Sequence, residues 1–458
     1  MQPPRFVSNA TQLSSHGELA LRGMALDIIE HALAASDPYR ATRERITCDG
    51  GALLIDGHTI VLPKHGRIVF VGAGKASYPI AKAVEAILGD RLDDGIVICK
   101  YGQRGTLRHI RMAFAAHPIP DEAGALATRE MIGLLRCVQP GDLVIAGITG
   151  GSSALMGLPL DPVTLLEYGE LTRLLLSCGA NILEINAVRK HIAVVGGGKL
   201  AQLINPDAIL VNLTVSDVID DPLDYITDPT VADTSTLADA RMTLDRYSLW
   251  DSIPNSVSLA LGADGSAPET PKHLCRNRRH DVLLLTASAA CEGAARRGRE
   301  LGLNTMILST RFEGESRELG NAFAAIAIEV ARSHRPAKPP ALLIGGGETT
   351  VRLAGGVFGT GGPNQEFATA SAIALDGISN IVIAGIDSDG TDGPTDVAGA
   401  MVDGSTMNRA RVLGIDLRQQ LRIHDTNSAL LCIDDIIVTG STGTNVNDLK
   451  LALVSDAG

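Results

Sequence analysis

Short apolar segments alternate with segments of helical period over most of this 458-residue chain. The apolar segments, such as Leu143–Ile148, have the length of buried strands. The segments between them, such as Ala76–Leu88, repeat their apolar residues at roughly every 3.6 positions. Strands that alternate with helices of about 10–15 residues predict parallel βαβ units, and the chain is therefore predicted to have an α/β fold.

The alternation is interrupted between Asp217 and Arg279, a stretch that carries many Asp, Pro and Ser residues. Within it, Ala267–Pro271 has the composition of a linker, although a proline-rich loop inside one domain has the same composition. At about 100–200 residues per domain, the length predicts two or three domains. We therefore predict an N-terminal domain over residues 1–276 and a C-terminal α/β domain over residues 277–458.

Composition and charge exclude several classes of protein. The net charge is −12 and the cations are scattered, apart from Arg276–His280, which argues against nucleic-acid binding. No apolar run reaches the roughly 18 residues of a membrane span, and the first residues lack the pattern of a signal peptide. The seven cysteines show no CxxC pair or zinc spacing, which is typical of reduced thiols. These features predict a cytoplasmic protein without a nucleic-acid or membrane partner.

The segment Gly72–Ser77 lies between a predicted strand and a predicted helix. Its glycines, Gly74 among them, let backbone N–H groups face an anion at a helix start, and Lys75 adds a positive charge. The spacing is not that of a P-loop, and Ser77 replaces the third glycine of a dinucleotide fingerprint. The segment is an anion-binding candidate, with a tight βα turn and an exposed lysine as the alternative.

A second glycine-rich segment, Thr149–Ala154, follows the predicted strand Leu143–Ile148. Its glycines and its hydroxyl groups, Ser152 and Ser153 among them, are typical of an anion or sugar-phosphate pocket. A capped helix start is the alternative. The segment does not match the GxSxG pattern, which disfavours a serine hydrolase.

Two further segments of this half carry charged side chains. If Asn186–His191 is helical, its first residue shares one face with Lys190, and Arg189 lies beside them. Such cations can hold a carboxylate or a phosphate, the alternative being a solvated face. Ser216–Asp221 follows a predicted strand, and ligands bind at strand ends in open α/β sheets. Asp217 is therefore a candidate general base or magnesium ligand, with an Asp-rich turn as the alternative.

In the C-terminal half, two glycine loops, Gly345–Thr350 and Gly361–Glu366, flank a predicted hairpin. They bring polar groups to a predicted helix start and its surroundings, namely Glu348, Thr349, Asn364 and Glu366. A pair of ordinary glycine turns is the alternative.

Two more loops of the C-terminal half are rich in aspartate or in small residues. Asp387–Asp396 follows a predicted strand. Its four carboxylates, Asp389 and Asp392 among them, fit the binding of Mg²⁺ and nucleotide phosphates better than they fit the pattern of a calcium-binding loop. Thr439–Asn445 is a loop of the anion-binding type that ends at Asn445. An acidic turn and a flexible connection are the respective alternatives. Phosphate handling with a divalent metal is the chemistry that these segments share.

Taken together, the motifs resemble the class II glycerate 2-kinases, which combine an N-terminal domain of formerly unknown function with a C-terminal MOFRL domain. The resemblance covers nearly the whole chain, and Thr442–Leu449 is the longest nearly verbatim match. The other matching segments are Gly72–Ala76, His117–Gly124, Thr149–Ala154, Asn186–His191, Ser216–Asp233, Gly346–Thr350, Gly361–Ala368 and Asp389–Gly399.

The resemblance implies ATP- and Mg²⁺-dependent phosphorylation of D-glycerate, or a related sugar acid, at the 2-hydroxyl. It also implies a larger Rossmann-like, doubly wound parallel-sheet domain, a smaller α/β domain and a cleft between them. Lys75, Asp217 and Asp389 are the expected catalytic residues, and the two aspartates are also the expected metal ligands. The expected substrate- and nucleotide-binding residues are Gly74, Ser152, Ser153, Arg189, Lys190, Glu348, Thr349, Asn364, Glu366, Asp392 and Asn445.

The chain departs from the family pattern at two positions. Pro363 stands where the family usually has an arginine that could clamp a carboxylate, and Asp228 stands where a glycine is usual. Both changes lower the positive potential. The substrate then differs from D-glycerate, or Arg189, Lys199 or Arg352 compensates, or the activity is weak.

Two other functions stay open at this point. A hydroxypyruvate reductase-type oxidoreductase would need a dinucleotide site, which Gly72–Gly74 supplies only in part. A relative with altered substrate or lost activity is the other alternative, motivated by Pro363. The expected partners are a small hydroxy acid and a nucleotide, and assembly into a homo-oligomer stays open.

Overall fold

The computed structural model describes residues 6–217, 223–226, 228–262, 267–274, 278–353 and 358–456. The chain forms two compact units. The parallel-sheet unit is Pro38–Leu285, and the mixed-sheet unit combines the chain up to Asp37 with the chain from Thr286 onward. None of the helices in these ranges is both long and apolar enough to span a bilayer.

The helices α1 (Ala10–Leu13) and α2 (Leu19–Ala35) precede the parallel-sheet unit. The strands of that unit are β1 (Ile46–Asp49), β2 (Ala52–Ile55), β3 (His58–Val61), β4 (Ile68–Ala73), β5 (Asp94–Lys100), β6 (Arg111–Ala115), β7 (Leu143–Ile148), β8 (Ile209–Val215) and β9 (Arg279–Leu285). Its helices are α3 (Pro38–Arg45), α4 (Ser77–Leu88), α5 (Glu122–Arg136), α6 (Ser152–Leu155), α7 (Leu165–Ser177), α8 (Ile182–Ile192), α9 (Lys199–Gln202), α10 (Leu223–Ile226), α11 (Leu237–Arg246) and α12 (Asn255–Ala260).

The mixed-sheet unit continues with helices and strands of its own. Its strands are β10 (Asn304–Phe312), β11 (Ala341–Gly347), β12 (Ile381–Asp387), β13 (Gly399–Asp403), β14 (Ile436–Ile437) and β15 (Asp448–Val454). Its helices after residue 285 are α13 (Ala289–Glu300), α14 (Ser316–Ser333), α15 (Pro363–Ala374), α16 (Thr406–Val412), α17 (Leu417–Arg422) and α18 (Thr426–Cys432).

The parallel sheet has the strand order β6-β5-β4-β7-β8-β9, and each neighbouring pair is parallel. The helices α5 and α9 pack on the face that bears Val69 and Val71, whereas α4 packs with β1 and β2 on the opposite face. The prediction of a doubly wound parallel sheet is confirmed. The chain order reverses between β4 and β7, and in open α/β sheets this switch point is where ligands bind.

A second, helical core stabilises the same unit away from the sheet. Four helices, α7, α8, α11 and α12, meet around buried side chains that include Tyr168, Val188, Leu244 and Val257. The capping boxes Thr164/Glu167 and Asn181/Glu184 fix the starts of α7 and α8. The position of α8, which carries Arg189 and Lys190, therefore depends on this helical core.

The mixed sheet has the strand order β10-β11-β15-β12-β13-β14, in which β10 and β11 are parallel and the other pairs antiparallel. The helices α14 and α15 pack together, with Phe323 and Phe367 edge to face at 5.4 Å. Strand β11 runs into the first glycine loop and pairs with β10 and β15. The hairpin predicted between Gly345–Thr350 and Gly361–Glu366 falls in part on residues 354–357, which lie outside the described part of the chain, and it stays a prediction.

The two units depart from the predicted domain ranges, 1–276 and 277–458, at both ends. The segment before Pro38 belongs to the mixed-sheet unit, because α2 packs against α13. The second boundary follows Leu285, because β9 pairs with β8 at the edge of the parallel sheet. The linker-like run Ala267–Pro271 is a loop within the parallel-sheet unit, where Thr270 Oγ1 donates to Asp233 Oδ2 at 2.7 Å.

A buried ion cluster holds the N-terminal segment in the mixed-sheet unit. Arg22 of α2 is fully buried, with Nε 2.5 Å from Asp403 Oδ2 and Nη1 2.9 Å from Asp435 Oδ1. Burial alone would raise the pKa of both carboxyls, but the Arg22 guanidinium and hydrogen bonds hold each pKa below its usual value. The three side chains therefore remain charged in the folded protein.

We expect Arg22→Met to lower the free energy of unfolding by about 3–5 kcal/mol, because it leaves buried carboxylates without this cation. Thermal and urea unfolding of the intact chain measure the change. Arg299→Met, at an exposed position of α13, serves as the control and should change stability by less than about 0.5 kcal/mol. A loss below about 1 kcal/mol for Arg22→Met would contradict the assignment.

The same cluster predicts a pH dependence of stability. Because the folded pKa values of Asp403 and Asp435 lie below their unfolded values, their stabilisation is fully present above the unfolded pKa of about 4 and is lost as the pH falls through the folded values. The wild-type thermal midpoint should therefore fall below about pH 4. Arg22→Met should show a shallower fall, and an identical slope in both proteins would count against the cluster as its source.

Candidate active site

The loops that follow β4 and β7 meet at the switch point of the parallel sheet. The Lys75 N–H donates to Gly150 O at 3.0 Å, and the Ala76 N–H donates to Thr149 Oγ1 at 3.1 Å. Gly74 has φ +132°, and a Cβ at this position would collide with Thr149. The close approach therefore requires glycine. Two segments that were predicted separately as anion-binding candidates thus form one site.

The side chain of Lys75 lies along the second of these loops. A Cβ built on Gly151 would be 3.5 Å from Lys75 Cγ and 3.2 Å from the His117 ring. His117 follows β6 at the same end of the sheet, and no role was predicted for it individually. The indication available in the sequence was that His117 is a polar residue just after a predicted strand.

Asp217 follows β8, the neighbour of β7, so it lies at the same edge of the sheet as Lys75 and Ser152. The Ser216 N–H donates to Leu285 O at 2.9 Å, which extends the pairing with β9 to this point. Asp220 and Asp221 lie outside the described residues. The role of Asp217 as a base or metal ligand stays a prediction.

The cations of α8 are buried, so the alternative of a solvated face is wrong. Arg189 is 9% exposed and Lys190 2% exposed. Both line a pocket in which polar groups alternate with apolar ones: Ser153, Met156, Tyr168, Asn186, Arg189, Lys190, Ala193, Val195, Gly196 and Pro229. Since Ser153 lies in α6, which begins four residues after β7, this pocket adjoins the candidate site at the switch point.

The two neighbouring cations of α8 differ in their partners. Lys190 Nζ lies 3.0 Å from Asp233 Oδ1 and 5.4 Å from the centre of the Tyr225 ring. Nε and Nη2 of Arg189 are buried without a hydrogen-bond partner among the described residues. Asp233 was not singled out from the sequence, because its local pattern does not indicate a partner 43 positions away.

A second group of predicted residues converges in the mixed-sheet unit. Gly347 of β11 and Asp387 of β12 both pair with Asp448, the first residue of β15. The loops that bear Glu348, Asp389 and Asn445 therefore start or end at one edge of this sheet. Glu348 is exposed, whereas Thr349, Asp389 and Asn445 are at least nine-tenths buried.

The start of α15 is filled by the chain's own carboxylate. Asp392 accepts hydrogen bonds from the backbone N–H groups of Asn364 and Gln365, each at 2.9 Å. Burial and nearby Asp448 raise the pKa of Asp392 to about 6. Asn364 also donates to Asp448 at 2.8 Å and accepts from Lys450 at 2.5 Å. This geometry gives Asn364 and Asp392 a structural role, and a role in ligand binding stays a prediction.

Pro363 occupies the first position of α15, where a backbone N–H has no helical acceptor and the fixed φ of proline favours the helix. One turn on, Glu366 is 1% exposed. It is held by His424 Nδ1 at 2.6 Å and Arg317 Nη2 at 2.8 Å. Proline is thus compatible with the backbone at this position, while its side chain carries no charge. Glu366, like Asn364, is engaged within the protein.

The predicted metal ligands belong to different units, Asp217 to the parallel-sheet unit and Asp389 to the mixed-sheet unit. Within the described ranges, no group of three or more His, Cys, Asp or Glu side chains is placed to hold a metal ion. Mg²⁺ in phosphoryl-transfer sites is usually bound by one or two carboxylates together with substrate phosphates. The carboxylate of Asp389, which accepts a hydrogen bond from Thr391 Oγ1 at 2.6 Å, has the ligand chemistry for this.

The parallel-sheet unit lacks two features of dinucleotide sites. Ser77 fills the place of the third glycine, fully buried, with Oγ 3.2 Å from Thr149 Oγ1. Strand β5 ends at Lys100, whereas NAD-binding sheets carry an acidic residue after the second strand. Both observations disfavour a nicotinamide cofactor at this switch point.

Comparison with known proteins agrees with this two-part organisation. The model of a domain of unknown function, DUF4147, matches residues 24–262, and that of the MOFRL family matches residues 341–448. A glycerate 2-kinase of Pyrococcus horikoshii is 39% identical over 95% of this chain and 98% of its own length. A putative hydroxypyruvate reductase of Agrobacterium vitis is 40% identical over 85% of this chain and 100% of its own length.

Among solved structures, the glycerate kinase of Thermotoga maritima is 38% identical and superposes with a TM-score of 0.79, covering 95% of this chain and 99% of that one. Both regions of the family architecture are thus present, in the family's order and over nearly the full length. The chain belongs to the class II glycerate kinase family, which is characterised by the MOFRL domain.

Proposed function

We propose that the protein is a glycerate 2-kinase, which transfers the γ-phosphoryl group of ATP to the 2-hydroxyl of D-glycerate or of a related small sugar acid in a Mg²⁺-dependent reaction. The observation that carries the proposal is the meeting of the Lys75 loop and the Thr149–Ser153 loop at the switch point, next to a pocket with a buried arginine. The names of the relatives from Pyrococcus and Thermotoga support the same reaction. We place the protein in the cytoplasm.

The side chains at the switch point suit phosphoryl transfer, which depends on positioning and charge neutralisation. Lys75 supplies a positive charge for the oxygens of the transferred group. Asp217 accepts the proton of the attacking hydroxyl as the new P–O bond forms and the bond between the γ-phosphorus and the β–γ bridging oxygen breaks. Asp389 and its loop would hold Mg²⁺, which neutralises the phosphate charge when bound.

The same residues fit a reductase less well. Reduction of hydroxypyruvate requires a hydride donor, and the buried Ser77 and the position of Lys100 disfavour a nicotinamide site.

We expect Lys75→Ala to lower kcat/KM for D-glycerate by about 100-fold or more, because it removes a charge that acts on the transferred group. ADP release with Mg²⁺-ATP measures the rate. Lys64→Ala, which removes an exposed lysine of the same unit, is the matched control and should keep full activity. Retained activity in Lys75→Ala would remove Lys75 from the site.

A panel of three- to five-carbon sugar acids, assayed for ADP release, tests the substrate class. We expect turnover with D-glycerate or a close relative, and none without Mg²⁺. Absence of ADP release with every acid would refute the kinase, and NADH oxidation with hydroxypyruvate would favour the reductase.

The variant Pro363→Arg should fold, because the first helical position tolerates other residues. It should raise kcat/KM in the same ADP-release assay by roughly tenfold or more, because a guanidinium can bind a carboxylate or phosphate with two hydrogen bonds.

A further inference from the structure

Arg189 of α8 is a buried cation that lines a pocket. Its side chain is buried, and two of its three guanidinium nitrogens, Nε and Nη2, have no hydrogen-bond partner within the described ranges. An unpaired cation inside a protein is destabilising, because desolvation is not offset by a partner. Arg189 lines a pocket together with Ser153 and Asn186, which can donate or accept hydrogen bonds.

The other cations near this pocket are already neutralised or engaged. Lys190 is paired with Asp233, and although burial favours the neutral carboxyl, Lys190 and several hydrogen bonds hold the pKa of Asp233 below its usual value. Lys199 Nζ donates to the backbone carbonyls of Lys190 and Ala193 at 2.9 Å and 2.7 Å, at the end of α8. Among these three cations, Arg189 is thus the one with guanidinium nitrogens that are buried without a hydrogen-bond partner among the described residues.

The pocket also has the chemistry of a small organic acid. Met156, Tyr168 and Pro229 supply apolar walls beside the polar groups of Ser153 and Asn186. A planar carboxylate can accept two parallel hydrogen bonds from a guanidinium. From Arg189 and its surroundings, we propose that this pocket binds the carboxylate of the hydroxy-acid substrate, and that Arg189 makes the protein select acids over the corresponding polyols. This inference rests on the proposed function, and it locates one end of the substrate.

Two variants and a control test the assignment. Arg189→Met removes the charge at similar length, Arg189→Lys keeps the charge without the fork of donors, and Arg104→Met removes an exposed arginine of the same unit. In Arg189→Met, KM for D-glycerate should rise on the order of 10- to 100-fold, while KM for ATP stays within about threefold. Arg189→Lys should lie between Arg189→Met and the wild type. Arg104→Met should match the wild type.

Thermal unfolding gives a readout that a merely structural arginine would not. Because the unpaired cation is destabilising, Arg189→Met should raise the midpoint of the ligand-free protein. Added D-glycerate should raise the wild-type midpoint with concentration and leave that of Arg189→Met unchanged. Glycerol, which lacks the carboxylate, should raise neither. A lowered midpoint or a failure of Arg189→Met to fold would assign Arg189 to structure and overturn the proposal.

The outcomes separate this inference from the proposed function. Stabilisation of the wild type by inorganic phosphate as strongly as by D-glycerate, lost in Arg189→Met, would make the pocket a phosphate site and refute the carboxylate assignment. Unchanged KM for D-glycerate in Arg189→Met, with normal turnover, would refute the inference and leave the kinase intact. Arg189-dependent stabilisation by D-glycerate without any phosphoryl transfer would support the carboxylate site and refute the kinase.

Discussion

The pairing of β4 with β7 is the contact on which the parallel-sheet unit and its site depend. The chain adds strands outward from this pair in both directions, so the loops after β4 and β7 diverge to helices on opposite faces of the sheet and leave a crevice at their carboxyl ends. The hydrogen bonds from Lys75 to Gly150 and from Ala76 to Thr149 close the base of this crevice. Gly74 permits them, since a larger residue would collide with Thr149.

The segments of the candidate site could be predicted from the sequence, because glycines, hydroxyls and carboxylates directly after apolar runs are local features. Strand Leu143–Ile148 was predicted with its observed bounds, and the helix predicted at Ala76 begins at Ser77. The parallel βαβ units followed from the alternation of strands and helices, and the doubly wound sheet followed from the family resemblance. The domain boundaries did not, because the packing of α2 against α13 and the pairing of β9 with β8 are long-range contacts without a local signal.

The distinction between binding residues and structural ones was likewise out of reach of the sequence. Asn364 and Lys450 are 86 positions apart, and Asn364 and Asp392 are 28 apart, yet they belong to one buried network. An asparagine in a glycine loop has the same local pattern whether it faces a ligand or Asp392. Arg189 and Lys190 illustrate the same limit. They are adjacent cations of one helix, but Lys190 is paired with Asp233, whereas two nitrogens of Arg189 have no partner among the described residues.

The discontinuous composition of the mixed-sheet unit has a consequence for biosynthesis. Strand β15 is synthesised after the other strands of its sheet, yet it lies in the interior of that sheet, between β11 and β12. The partners of Arg22, Asp403 and Asp435, are likewise synthesised late. The parallel-sheet unit is contiguous and can fold while synthesis continues. Helix α2 is synthesised before the parallel-sheet unit, whereas the elements on which it packs, α13, β12 and β15, are all synthesised after that unit. A nascent chain that stops early therefore presents a folded Rossmann-like core and an exposed apolar helix, a combination that chaperones and proteases can recognise.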